Sequence, residues 1–166
     1  MPNVKSSIDA HNNRKLKCGN KPTDTKQCNC RDKNNCPLDG KCLESGVIYQ
    51  ATVTSDKKVE TYIGLTEKEF KTRHANHKQS FIKENLRSAT ELSKYIWELK
   101  DRKIDYSIKW KIIAHASSYS KISKRCNLCT LEKFYIMFHK DMATLNKKNE
   151  LVSFCKHRKK FCLYNA

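Results

Sequence analysis

Four cysteines, Cys28, Cys30, Cys36 and Cys42, fall within the fifteen residues CNCRDKNNCPLDGKC, in a stretch with almost no spaced apolar residues. Such a segment cannot bury a core of its own, so something other than hydrophobic packing must order it. The pattern C-x-C-x5-C-x5-C, with Pro37 and Gly40 shaping the turns, suits four thiolates around one tetrahedral ion, and a structural zinc is the expectation. The chain has nine cysteines in all, an odd number that cannot pair completely within one molecule. The first 17 residues hold no apolar run, and the longest later one, Phe134 to Phe138, is five residues. A bilayer span needs roughly 18. The expectation is therefore a soluble, intracellular chain with no membrane partner, whose reduced thiols serve metal rather than disulfides.

A second group is Cys126-Asn127-Leu128-Cys129 together with Cys155-Lys156-His157. Zinc held by Cys126, Cys129, Cys155 and His157 would tie the end of the chain to the start of a helix. Alternatively, Cys155 is a small apolar core residue and His157 belongs to a solvated basic run. A redox role for the C-x-x-C fits poorly, since the surrounding pattern is not that of a thioredoxin-like site. A crossed set, in which Cys36 and Cys42 recruit His74 and His77, also remains open. Cys18 and Cys162 have no assignment.

The division of the chain follows from composition: a flexible basic lead-in over 1–27, the cysteine-rich segment over 28–45, a folded domain over 46–150 and a basic segment over 151–166 tied back by zinc. Lys and Arg number 34 against 17 Asp and Glu, a net charge of +17. That excess repels itself in a compact fold unless a polyanion or an anionic membrane lies against it, the plain alternative being that it serves solubility.

Within the folded part, Val47, Tyr49, Ala51 and Val53 alternate on one side of a strand, and residues 59–65 form a second; the polar turn 54–58 makes them a hairpin. Centring that turn between Ser55 and Asp56 sets Tyr49 opposite Tyr62. Thr66-Glu67-Lys68-Glu69 reads as a capping box for a helix to about Ile82, with Phe70, Arg73, His77 and Phe81 on one face. Thr90 opens a second helix that turns Leu92, Ile96 and Leu99 inward. Residues 107–114 set Ile108, Trp110 and Ile112 against Lys109 and Lys111 in a third strand. A last helix from about Asn127 to His139 carries the stripe Leu128, Leu131, Tyr135 and Phe138. The order fits an α/β domain, a small three-stranded antiparallel sheet flanked by helices.

Arg73 and His77, four apart on an otherwise apolar face, present a cation and an imidazole to one point. An inward Arg is costly unless something anionic meets it. Glu132 has the same peculiarity beside Leu128, Leu131 and Tyr135. A buried ion pair would account for each alone; their combination with Tyr49 and Tyr62 suggests a site.

Gly46-Val47-Ile48-Tyr49, then Tyr62-Ile63-Gly64, Arg73, His77, Glu132 and Asn146 resemble the GIY-YIG endonucleases in order and approximate spacing, over residues 46 to about 150. The first motif has its glycine one place early, and the loop between the strands is slightly long. CNCRDKNNCPLDGKC, FKTRHANHKQSF, ELSKYIWELK, KRCNLCTLEK and LNKKNELVSFCKHRKKF are similar to the cysteine-rich GIY-YIG domain at the C-terminal end of Penelope-like retroelement polyproteins, downstream of a reverse transcriptase. The resemblance implies a DNA endonuclease hydrolysing phosphodiester bonds, acting on target DNA for insertion, in the nucleus, with a reverse transcriptase domain of the same element as a partner. It implies that Glu132 binds one Mg²⁺ or Mn²⁺, that Arg73 holds the phosphate, that Tyr49, with Tyr62 and His77 nearby, activates or orients water, and that Asn146 orders the site from outside. Lys68, Lys71, Lys78, Lys109, Lys111, Lys156, Arg158, Lys159 and Lys160 would then track phosphates. Two alternatives stand beside this reading: a zinc-stabilised nucleic-acid-binding module with a decayed nuclease site, and a cellular structure-specific repair nuclease.

Overall fold

The computed structural model describes residues 27–56, 58–120, 122 and 126–147. Three antiparallel strands, β1 (Val47–Ser55), β2 (Val59–Thr66) and β3 (Tyr106–His115), form a sheet in the order β2-β1-β3. The helices are α1 (Phe70–Ile82), α2 (Glu91–Asp101) and α3 (Asn127–Phe138).

Both sheet faces are covered, which the alternation of β1 makes possible. Val47, Tyr49, Ala51 and Val53 pack with Tyr62, Phe70, Phe81, Leu92, Ile96 and Leu99, beneath α1 and α2. Ile48 and Ile63 turn the other way and pack with Leu128, Cys129 and Ile136 of α3. A bulge in β3 between the partners of Ile48 and Tyr49 lets Ile112 join the first cluster and Ala114 the second. Thr90 caps α2 by accepting from the Ser93 N–H at 3.0 Å, as its sequence position suggests. A hydroxyl bridge of 2.8 Å between Ser80 and Ser93 and the Trp97 indole donating to the Ser80 carbonyl at 2.9 Å lock α1 to α2.

Three local expectations are corrected. The hairpin closes on a Ser55–Lys58 backbone pair, so its turn is centred between positions 56 and 57 and Tyr49 stands opposite Gly64, with Tyr62 opposite Ala51. The displacement is two residues, an even number, so Tyr49 and Tyr62 keep their common face. The capping box does not form: Thr66 belongs to β2, and Glu69 makes no side-chain bond to α1. Phe138 is 69% exposed rather than in the core. Helix α3 ends there, and its buried face runs through Leu128, Cys129 and Ile136, a line on which Glu132 lies at i+4 from Leu128.

The two sheet edges differ. Along β2, Leu145 N–H donates to the Thr61 carbonyl, Thr144 accepts from the Thr61 N–H, and the Asn146 amide takes both backbone groups of Ile63, accepting at 2.8 Å and donating at 2.9 Å. Among the described residues β3 pairs with β1 alone.

Candidate functional site

Tyr49 projects from β1 beneath α1, and its hydroxyl meets two side chains of that helix. Arg73 Nε donates to it at 2.9 Å, and His77 Nε2 lies 2.8 Å away. Arg73 also hydrogen-bonds the Tyr62 hydroxyl from β2. One half-buried guanidinium thus joins two phenols on neighbouring strands, with an imidazole behind. Arg73 and His77 reach one oxygen because they are four apart on a helix. The phenol reaches them because it crosses β2 at Gly64: a Cβ built there would lie 2.5 Å from the Tyr49 oxygen.

The walls are aromatic. The Phe70, Trp110 and His77 rings stand 5.2, 5.9 and 5.8 Å from the Tyr49 ring, centre to centre. Trp110 belongs to the site although its sequence position marks it only as an inward strand residue; its alternation with Lys109 and Lys111 was the available signal. His74 packs against both Phe70 and Trp110, whose rings also meet each other.

Burial governs the electrostatics. It pushes the Tyr49 phenol well above its usual range, with Tyr62 adding to the shift and Arg73 opposing it. Burial pushes Tyr62 up to about 12 against the pull of Arg73. The Glu132 carboxylate is close enough to raise both phenols. For Arg73, burial works against the charge, but the Tyr49 and Tyr62 oxygens outweigh it and the net shift is upward. His77 is pulled down to about 3 by burial, then by Arg73 and His74, so its imidazole is neutral. When that neutral ring carries its proton on Nδ1, Tyr49 donates its hydrogen bond to Nε2, which orients the phenol.

A neutral buried imidazole makes stability depend on pH. An unfolded histidine titrates near pH 6.5, so below that the unfolded chain binds a proton that the folded chain refuses until about pH 3. Stability therefore falls as pH falls through this window, by about 2 kcal/mol from His77 between pH 7 and pH 5. Urea unfolding at the two pH values measures the loss. His77→Gln, which keeps an acceptor for the phenol, should remove that part of the slope; an unchanged slope would mean that His77 is not the group responsible.

The four cysteines of the 28–42 segment converge. Their sulfurs all lie within 4.8 Å of one another, a group that could hold a metal ion. Cys28 Sγ is 3.7 Å from Cys36 Sγ and 3.5 Å from Cys42 Sγ, and Cys30 Sγ is 3.6 Å from Cys42 Sγ. The donor set fits a thiophilic ion: the Cys30 N–H donates to Cys28 Sγ at 3.3 Å, and the N–H groups of Leu38 and Gly40 serve Cys36, as thiolates require. The crossed set with His74 and His77 is excluded by this arrangement, since Cys36 and Cys42 join the other two cysteines and His77 Nε2 is engaged by Tyr49. Cys126 and Cys129 are both buried, packed with Ile48, Ile63 and Leu128. Their expected partners Cys155 and His157 lie outside the described residues, as do Lys156, Arg158, Lys159, Lys160, Cys18, Cys162 and the lead-in and terminal segments.

Of the remaining cations, Lys71 is engaged with Asn29 Oδ1 at 2.5 Å, and Lys78 is exposed on α1. Lys109 and Lys111 are exposed and alternate with the Ile108, Trp110 and Ile112 face, so they project from the opposite side of the sheet to Arg73. Glu132 is half-buried on α3. Among the described residues no helix is long and apolar enough to cross a membrane.

Comparison of the chain with protein-family models, with curated proteins and with solved structures returns no match.

Proposed function

We propose that this chain is a metal-dependent DNA endonuclease of the GIY-YIG type that nicks target DNA for retroelement insertion. The observation that carries the reading is the guanidinium of Arg73 fixed by two phenols, with the Glu132 carboxylate in electrostatic reach, in a chain of net charge +17. Phosphodiester hydrolysis requires charge stabilisation of a phosphate, activation of water and help for the leaving oxygen.

Arg73 supplies the first. Its Nε is committed to Tyr49, which aims the rest of the planar fork and leaves it able to grip phosphate oxygens. The phenols order the attacking water, and the neutral imidazole of His77 accepts the Tyr49 hydrogen bond and so fixes the phenol's orientation. Glu132 offers the hard oxygen that Mg²⁺ or Mn²⁺ prefers, and such an ion, when bound, polarises the phosphate and lowers the pKa of water. Asn146, fastened to Ile63 beside Tyr62 and Gly64, keeps β2 in place. Zinc at Cys28, Cys30, Cys36 and Cys42 orders the N-terminal segment, and a second at Cys126, Cys129, Cys155 and His157 would anchor the C-terminal one. DNA is the partner, with nuclear location following from it, and a reverse transcriptase domain of the same element supplies the step after nicking. The lysines give mostly sequence-independent affinity.

A second reading, a zinc-stabilised nucleic-acid-binding module, is favoured by one observation: Tyr49 is 0% and His77 only 2% exposed. Nicking of supercoiled plasmid in Mg²⁺ or Mn²⁺ separates the two. The expected result is metal-dependent nicking, slowed about 10²-fold by Glu132→Gln with DNA affinity retained. Tight DNA binding by the wild-type chain without metal-dependent nicking assigns it to the binding class.

A further inference from the structure

The first turn of α1 has no cap of its own. An α-helix begins with N–H groups that lack intrahelical partners, and Glu69 offers them no side-chain acceptor. Two of them are served instead by the cysteine-rich segment: Phe70 N–H donates to the Glu44 carbonyl at 2.9 Å and Lys71 N–H to the Cys42 carbonyl at 2.7 Å. Cys42 therefore works at both ends, its sulfur among the four converging thiols and its carbonyl on the helix. Asn29, between Cys28 and Cys30, accepts from Lys71 Nζ. Leu38, in the loop between Cys36 and Cys42, is buried in the same cluster as Tyr49 and Phe70.

Within 28–42, Leu38 is the one buried residue that is not a cysteine. Packing alone cannot hold this backbone in place. Without an ion the four thiols either repel one another as thiolates or, once protonated, make only weak contacts. Arg73 is two residues beyond Lys71, and its own N–H reaches the Glu69 carbonyl only at 3.5 Å, so its placement depends on the turn before it.

Resting on the zinc reading proposed above, we infer that Cys42 is a positioning residue for Arg73. Zinc at the four thiols fixes the Cys42 carbonyl over the start of α1. Loss of the ion frees residues 70–73, and the guanidinium leaves the Tyr49 and Tyr62 hydroxyls. Metal loading of a cluster that touches no substrate thereby decides whether the phosphate clamp is assembled.

Hydrogen exchange read by mass spectrometry on the full chain tests this directly, comparing zinc-loaded protein with protein stripped by EDTA and then freed of the chelator. The expected result is exchange at least tenfold faster over residues 70–73 in the stripped protein, unchanged exchange in α2, and recovery on adding Zn²⁺. Cys36→Ser, which leaves the Cys42 carbonyl in place, should show the stripped pattern even in Zn²⁺. Unaltered protection over 70–73, or equal loss across α1, α2 and β1, would overturn the inference. Nicking in Mg²⁺, measured in parallel, should fall about tenfold on stripping and return with Zn²⁺. If protection over 70–73 follows zinc but no preparation nicks DNA, the endonuclease reading fails and the positioning role stands. Nicking that persists at full rate with 70–73 unprotected rejects control of the clamp by zinc.

Discussion

Arg73→Met should lose metal-dependent nicking by about 10³-fold, the scale of a cation that meets transition-state charge on a phosphate. The substitution is chosen to spare the fold. Methionine fills much of the arginine stem's volume, and the Tyr49 hydroxyl keeps His77 as its hydrogen-bond partner at 2.8 Å, so the buried polar group that loses its guanidinium partner is the Tyr62 hydroxyl. Urea unfolding should therefore shift by about 1–3 kcal/mol. Arg73→Lys retains the charge but not the fork that meets Tyr49, Tyr62 and a phosphate together, and a loss of about 10² is expected. DNA affinity should drop modestly, with the salt dependence falling by about one phosphate contact. Single-turnover nicking at saturating protein isolates the chemical step. Wild-type rates in the Met variant would remove Arg73 from the chemistry.

Gly64→Ala should destabilise the chain by about 3 kcal/mol and eliminate nicking. The added methyl carbon would stand 2.5 Å from the Tyr49 oxygen and 2.6 Å from the ring carbon that bears it. The ring has nowhere to go: Phe70 and Trp110 pack against it, and Arg73 and His77 hold its hydroxyl. Tyr49→Leu in the same chain shortens the obstructing side chain and should restore part of the lost stability without restoring nicking. That non-additivity, read from the urea midpoints of both single variants and the double variant, is the diagnostic quantity. A Gly64→Ala chain as stable and as active as wild type would mean that Tyr49 does not occupy this position.

Side-chain periodicity carried most of the architecture. The alternation of Val47, Tyr49, Ala51 and Val53, and the single face holding Phe70, His77 and Phe81, both describe the folded chain. The hairpin register was misplaced by two residues because nothing in the polar turn says which pair closes it. Only an even slip preserves the face, so the Tyr49–Tyr62 neighbourhood was legible while the Tyr49–Gly64 crossing was not. The supposed capping box failed for a different reason. A local motif competes with the strand before it, and Thr66 was taken by β2 while the helix found its acceptors more than twenty residues upstream. For α3 the stripe held through Leu128, Leu131 and Tyr135 and ended one position short, because Phe138 is the helix's last residue and is exposed. Cysteine spacing was informative because four thiols so near in sequence have few ways to avoid one another; their grouping against the rival with His74 and His77 needed the location of α1.

The unequal edges of the sheet bear on how the molecule behaves in concentrated solution. An exposed strand edge is a template on which other chains can polymerise. Residues 144–146 cover the β2 edge with side-chain amides and hydroxyls in place of a fourth strand. Among the described residues nothing beyond β1 pairs with β3, and each copy approaching that edge brings Lys109 and Lys111 and a share of the +17 charge. Mutual repulsion thus guards the edge that, among the described residues, hydrogen bonds leave open. A polyanion that neutralised those lysines would remove the guard, so one charge distribution sets both how the molecules repel one another in dilute salt and how that repulsion is lost.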